Sequence, residues 1–141
     1  MAMCLFLAPL ATKAQVNVVD GDTVKVDGTT FRIFGIDAPE AKQACADGWP
    51  AGQEAAKALR ALLSGPVTCE PRGIDRYGRT IGLCRVAGSD LGRSMVSAGM
   101  AWAFTRYSHD YAEDERRAKE ARLGVHIHGC LPAWEWRATV R

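Results

Sequence analysis

Asp22 lies in the turn Asp20-Gly21-Asp22-Thr23 and Asp37 in Ile36-Asp37-Ala38-Pro39-Glu40, and the stretch between them reads as a hairpin. A hairpin returns the chain to its start, so the two carboxylates are expected to face each other across neighbouring strands. Glu40 follows just beyond and Arg32 stands on the approach. Carboxylate oxygens beside a guanidinium suit a hard cation and a phosphate. A second guanidinium comes from Asp75-Arg76-Tyr77-Gly78-Arg79, at the tip of another hairpin. A phosphodiester repels nucleophiles by its charge, and a cation with two arginines would neutralise it at several oxygens. Arginine suits this better than lysine because its fork matches phosphate oxygens. Glu40, three residues past Asp37, is placed to deprotonate a water.

The elements that must hold these residues are mostly short strands. Alternation predicts strands at 16–20, 23–26 and 30–36, the last two joined by Asp27-Gly28, a strong hairpin signal. Pro39 stops the third strand, and 44–52 reads as an irregular loop. Residues 53–63 fit a helix with Ala55, Ala58, Leu59 and Leu62 on one stripe and Gly65-Pro66 as its stop. Strands follow at 67–70 and 80–86, then a helix at 91–98 capped by Asp90, then a last helix from Ser108 or Asp110 to Leu123. Hairpin-joined strands pair antiparallel, which excludes a doubly wound parallel sheet. The expected fold is α+β and β-rich, a five-stranded oligonucleotide-binding (OB-fold) barrel with about three helices. Such barrels bind single strands across one face.

On the segments carrying Asp22, Arg32, Asp37, Glu40 and 75–79, the chain resembles the thermonuclease, or staphylococcal nuclease-like, family. Three ordered segments matching together are far more specific than any one alone. The resemblance implies a calcium-dependent nuclease, a metal-dependent phosphodiesterase that cuts single-stranded DNA and RNA with low sequence specificity and leaves 3′-phosphates. It assigns Asp22, Asp37 and the backbone oxygen of Ala38 to Ca2+, Glu40 to the attacking water, and Arg32 and Arg79 to the scissile phosphate. Tyr77 resembles the family's substrate-contacting tyrosine, and Tyr107 falls near its second aromatic region, with Thr105 and Arg106 where a stacking tyrosine is expected. The alternative is a catalytically silent OB-fold module that binds nucleic acid or protein. Such a module has no need to keep Asp22, Arg32, Asp37, Glu40 and Arg79 together.

The whole chain limits these readings. With 141 residues it supports one domain, and its formal net charge of +2 is too small to argue for nucleic acid by itself. Residues 1–11 are apolar and Thr12-Lys13-Ala14 offers a cut after Ala14, so 1–14 reads as a secretory leader. The nuclease-like domain is then expected over 15–125 and a C-terminal tail over 126–141, in a secreted or periplasmic monomer with no membrane span. Without the leader an even set of cysteines remains, Cys45, Cys69, Cys84 and Cys130. Cys69 and Cys84 are equidistant from the Arg76-Tyr77 tip, so they are expected opposite one another and oxidised; Cys45 with Cys130 follows by elimination. The crowded spacing of His126, His128 and Cys130 argues against a zinc site. A thiol titration of the denatured chain lacking residues 1–14 should find none of these cysteines reactive; four free thiols would reject the oxidised reading.

Overall fold

The structure is a computed structural model that describes Ala8 and residues 14–141. The expected leader lies, apart from Ala8 and Ala14, outside the described residues. Strands β1 (Val16–Asp20), β2 (Thr23–Val26) and β3 (Thr29–Ile33) form an antiparallel meander. Asp27 and Gly28 both take positive φ at the β2–β3 turn, the geometry that an Asp-Gly hairpin requires. After β4 (Ile36–Asp37) and helix α1 (Ala51–Leu62) come β5 (Val67–Ile74) and β6 (Thr80–Val86), a long antiparallel pair. Strand β6 also runs parallel to β3, so the sheet follows the order β1-β2-β3-β6-β5, with the short β7 (Ser89–Asp90) added to β6. These five main strands match the expected number. Among the described residues no pairing joins β1 to β5.

Helices α2 (Leu91–Ser97) and α3 (Ala112–Glu120) follow, with β8 (Trp102–Ala103) between them. A 3-10 turn (Gly124–His126) leads to a fourth helix, α4 (Ala133–Thr139), where about three were expected. Asp90 caps α2 as anticipated, its carboxylate accepting from the Arg93 N–H at 3.2 Å. Helix α3 starts later than Ser108 or Asp110 and has no side-chain cap, because the Tyr111 ring is drawn into the core and its hydroxyl donates to Asp90 Oδ2. Val24, Phe31, Ile33, Leu59 and Met95 fill the core between the sheet and helices α1 and α2. No helix among the described residues is long and apolar enough to cross a membrane.

Two local departures from the expected elements shape the site. The third strand does not run through to residue 36; it ends at Ile33, and Gly35 turns the chain at φ +74°. A Cβ on Gly35 would lie 2.7 Å from Tyr111 Cε2, so only glycine permits the turn against that buried ring. Ile36 and Asp37 then pair with β8 in a separate two-stranded sheet. Helix α1 starts at Ala51, two residues early, because Pro50 suits a helix N-terminus.

Both cysteine pairs are disulfides. Cys69 and Cys84 are directly opposed in the β5–β6 register, and Cys45 joins Cys130 across 85 residues. Cys130 is thereby unavailable to zinc, and His128 stacks on Trp49 and meets Asp47 instead. Gly35→Ala should destabilise the fold by about 2 kcal/mol or more, from left-handed backbone strain and the clash with Tyr111. The denaturant midpoint checks it, and an unchanged midpoint would remove Gly35 from its structural part.

Candidate active site

Arg32 is the centre of the site. Register places it opposite Thr23, beside the turn that carries Asp22. Its Nη1 donates to Asp22 Oδ1 at 2.7 Å and its Nη2 to Asp37 Oδ1 at 2.8 Å. The expected meeting of the two carboxylates across adjacent strands is therefore corrected. Because β3 breaks at Gly35 and Asp37 moves to the second sheet, a guanidinium stands between the aspartates. A more direct tie comes from the Ala38 N–H, which donates to Asp22 Oδ2 at 2.7 Å.

Asp22 is 3% exposed and Asp37 1%. Burial pushes the Asp22 carboxyl well above its usual range, and the charge of Arg32 pulls only part of the way back. A carboxylate in that position gains from any further cation brought to it.

Glu40 is held by its backbone. Its N–H donates to the side-chain oxygen of Gln43 at 3.1 Å, and the Gln43 amide donates in turn to Leu131 O at 2.8 Å. Gln43 is 2% exposed, so this is a buried polar link with both ends satisfied. Gly52 in α1 lies against the same segment, where a Cβ would come within 2.0 Å of the Glu40 carbonyl. The Glu40 carboxylate meets Arg137 of α4, whose Nη1 donates to Glu40 Oε1 at 2.6 Å and whose Nη2 donates to Asp37 Oδ2 at 2.8 Å. Neither Gln43 nor Arg137 was assigned a site role from the sequence. Gln43 stands within the Glu40 segment, but nothing in residue spacing connects Asp37 to a residue a hundred positions later.

Arg79 comes from the second hairpin. Its Nε donates to Asp75 Oδ2 at 2.6 Å, while Asp75 Oδ1 accepts the N–H groups of Tyr77 and Arg79, each at 2.9 Å. Partial burial raises the Asp75 pKa, but the backbone and side chain of Arg79 outweigh it and leave the carboxyl below its usual range. Tyr77 is 68% exposed, with Arg76 and Arg79 both over its ring. Tyr107 is exposed beside Phe104, with ring centroids 5.0 Å apart. Arg32, Asp37, Glu40, Arg79, Tyr77 and Tyr107 all line one cleft of about 710 Å3. Trp134 of α4 joins that cleft and packs on Phe104 and Trp102, so the C-terminal segment rests its aromatics on the domain beside the site. Arg106 also lines the cleft.

The profile of the family described as staphylococcal nuclease homologue matches residues 30–127. The chain belongs to this family. It is 42% identical over 119 residues to a succinoglycan biosynthesis protein, ExoI, of Rhizobium meliloti, covering 79% of this chain and 62% of that protein. An uncharacterized endonuclease of Escherichia coli O157:H7 is 32% identical over 132 residues, covering 86% and 82%. Micrococcal nuclease of Shigella flexneri is 30% identical over 141 residues, covering 86% and 78%. The chain spans a little under two thirds of the Rhizobium protein and of an uncharacterized endonuclease from Haemophilus influenzae. Family membership makes this chain a nuclease homologue with a mixed α+β fold.

Among the described residues, no three His, Cys, Asp or Glu side chains converge as a metal cage. Arg32 bridges Asp22 to Asp37, and Arg137 bridges Asp37 to Glu40. Asp75→Ala should free Arg79 and Tyr77 together, lowering kcat/KM on single-stranded DNA about tenfold at little cost in melting temperature. An unchanged kcat/KM would separate the hairpin tip from substrate handling.

Proposed function

We propose that the protein is a calcium-dependent nuclease that hydrolyses phosphodiester bonds of DNA and RNA with low sequence specificity, leaving 3′-phosphate ends. The observation that carries this reading is the cleft that gathers Arg32, Asp37, Glu40, Arg79 and Tyr77, with Asp22 tied to its floor through Arg32. A silent module has no use for that set. The sheet is read as the barrel of the oligonucleotide-binding type, with the cleft along one face.

The donor set fits a hard cation. Asp22, Asp37 and the backbone oxygen of Ala38 would hold Ca2+, all of them oxygen donors, and so few protein ligands would leave coordination positions for waters and a phosphate oxygen. Bound there, calcium would supply positive charge to the phosphodiester. The protein's own groups carry the rest. Arg32 has three of its five N–H donors engaged by Asp22, Asp37 and the Ile36 carbonyl, and the remainder, without an acceptor among the described residues, would meet a phosphate oxygen. Arg79 approaches from the opposite hairpin with Asp75 fixing its orientation. Glu40 takes a proton from water as the water oxygen bonds to phosphorus and the P–O5′ bond breaks, and the departing oxygen is protonated from solvent. Tyr77 and Tyr107 offer faces to bases without reading their edges, which suits low specificity.

Two disulfides suit an oxidising compartment, and we place the protein outside the cell or in a periplasm, with 1–14 as leader, 15–125 as the nuclease domain and 126–141 as a tail, acting as a monomer. Purified protein should cut single-stranded DNA and RNA with calcium, stop in chelator, recover on calcium addition, and leave 3′-phosphates. Glu40→Gln should slow turnover by about a hundredfold or more while binding of a single-stranded oligonucleotide changes little. Binding without cutting by the wild type would favour the silent module.

A further inference from the structure

Arg137 lies outside residues 30–127, the part that matches the family, yet it makes the closest contacts to Glu40 and to the outer oxygen of Asp37. It also reaches Asp37 Oδ1 at 3.2 Å. Asp37 is thus gripped from two sides, by Arg32 within the sheet and by Arg137 from α4. The two arginines are not equivalent. Arg32 is 18% exposed, whereas Arg137 is 37% exposed and faces the open cleft.

The placement of Arg137 is built, not incidental. Cys130, two residues before the cap of α4, is bonded to Cys45, and Leu131 O accepts the amide of buried Gln43, the residue that also holds the Glu40 backbone. Ala133 is fully buried, and Trp134 packs on Trp102 and Phe104. The helix is therefore fixed to the domain, and the partly exposed guanidinium in its last turn lines the cleft. Arg137 occupies both oxygens of Asp37 and one of Glu40, so a divalent cation taken up by Asp37 must displace it and puts two positive charges where one stood.

We propose that Arg137 is a built-in counter-ion that occupies Asp37 and Glu40 until a divalent cation displaces it, so that α4 sets the cation affinity of the site. Cation binding then also releases Glu40 from its guanidinium, which frees the carboxylate to accept a proton. The inference rests on the proposed cation role of Asp37.

Calorimetric titration of calcium into the full disulfide-bonded chain, without nucleic acid, tests it. Arg137→Gln should bind calcium about three- to tenfold more tightly than wild type, the factor expected for loss of a half-exposed competing ion pair. Arg137→Lys, which keeps the charge but not the fork, should fall between them. In chelator Arg137→Gln should melt below wild type, and saturating calcium should shrink or reverse the gap, whereas a purely structural role would keep it constant. Unchanged or weaker calcium binding in Arg137→Gln, with Asp37→Asn abolishing it, overturns the inference alone. Undiminished calcium binding in Asp37→Asn overturns the assignment of Asp37 as ligand, and the inference falls with it.

Discussion

The pairing of one buried guanidinium with two buried aspartates organises this molecule. Arg32 connects the β1–β2 turn, the meander and the small second sheet through charge. Removing it would take from buried Asp22 its guanidinium partner and from buried Asp37 one of two, a change that costs several kcal/mol. Burial already disfavours the charged form of Asp22 with Arg32 present. The fold thus gathers three carboxylates around two shared arginines, at the edge of a cleft where phosphate is proposed to enter. A site poor in water and rich in fixed charge makes each added cation worth more than it would be in bulk solvent.

Several other features exist to keep that cluster in place. Gly35 allows the chain to leave the main sheet so that Asp37 reaches β8, and Tyr111 closes over the turn. Gly52 lets α1 press against the Glu40 carbonyl, and Gln43 ties the same segment to the C-terminal stretch. On the opposite wall, Asp75 combines a backbone turn with a side-chain pair, so that one carboxylate sets both the hairpin tip and the direction of Arg79. The Cys69–Cys84 bridge braces the strands below that tip. Close packing, hydrogen bonds and a disulfide thus surround the groups proposed to meet a substrate.

The C-terminal helix extends this logic past the part of the chain that the family profile covers. Its attachment uses a disulfide at Cys130 and a buried amide bond at Leu131 just ahead of the helix, and edge-on aromatic packing of Trp134 within it. A helix of seven residues has little stability of its own, so its position is owed to those anchors. Trp134 also supplies an aromatic surface to the cleft that Arg106 lines.

Much of this was legible in residue order. The strands at 16–20, 23–26 and 80–86, the Asp90 cap and the Cys69–Cys84 pair follow from alternation, turn chemistry and hairpin symmetry, all short-range properties. Asp22, Arg32, Asp37, Glu40 and Arg79 were recognisable as a set because their types and order are local to three segments. What residue order did not contain was the break at Gly35, which depends on a ring from residue 111, and the arrival of Arg137 at Asp37, which depends on how α4 is anchored. Residue order specified which chemical groups are present and which strands carry them. That a guanidinium separates the two aspartates and another caps Asp37 emerged with the fold, because long-range packing and charge pairing leave no periodic trace along the chain.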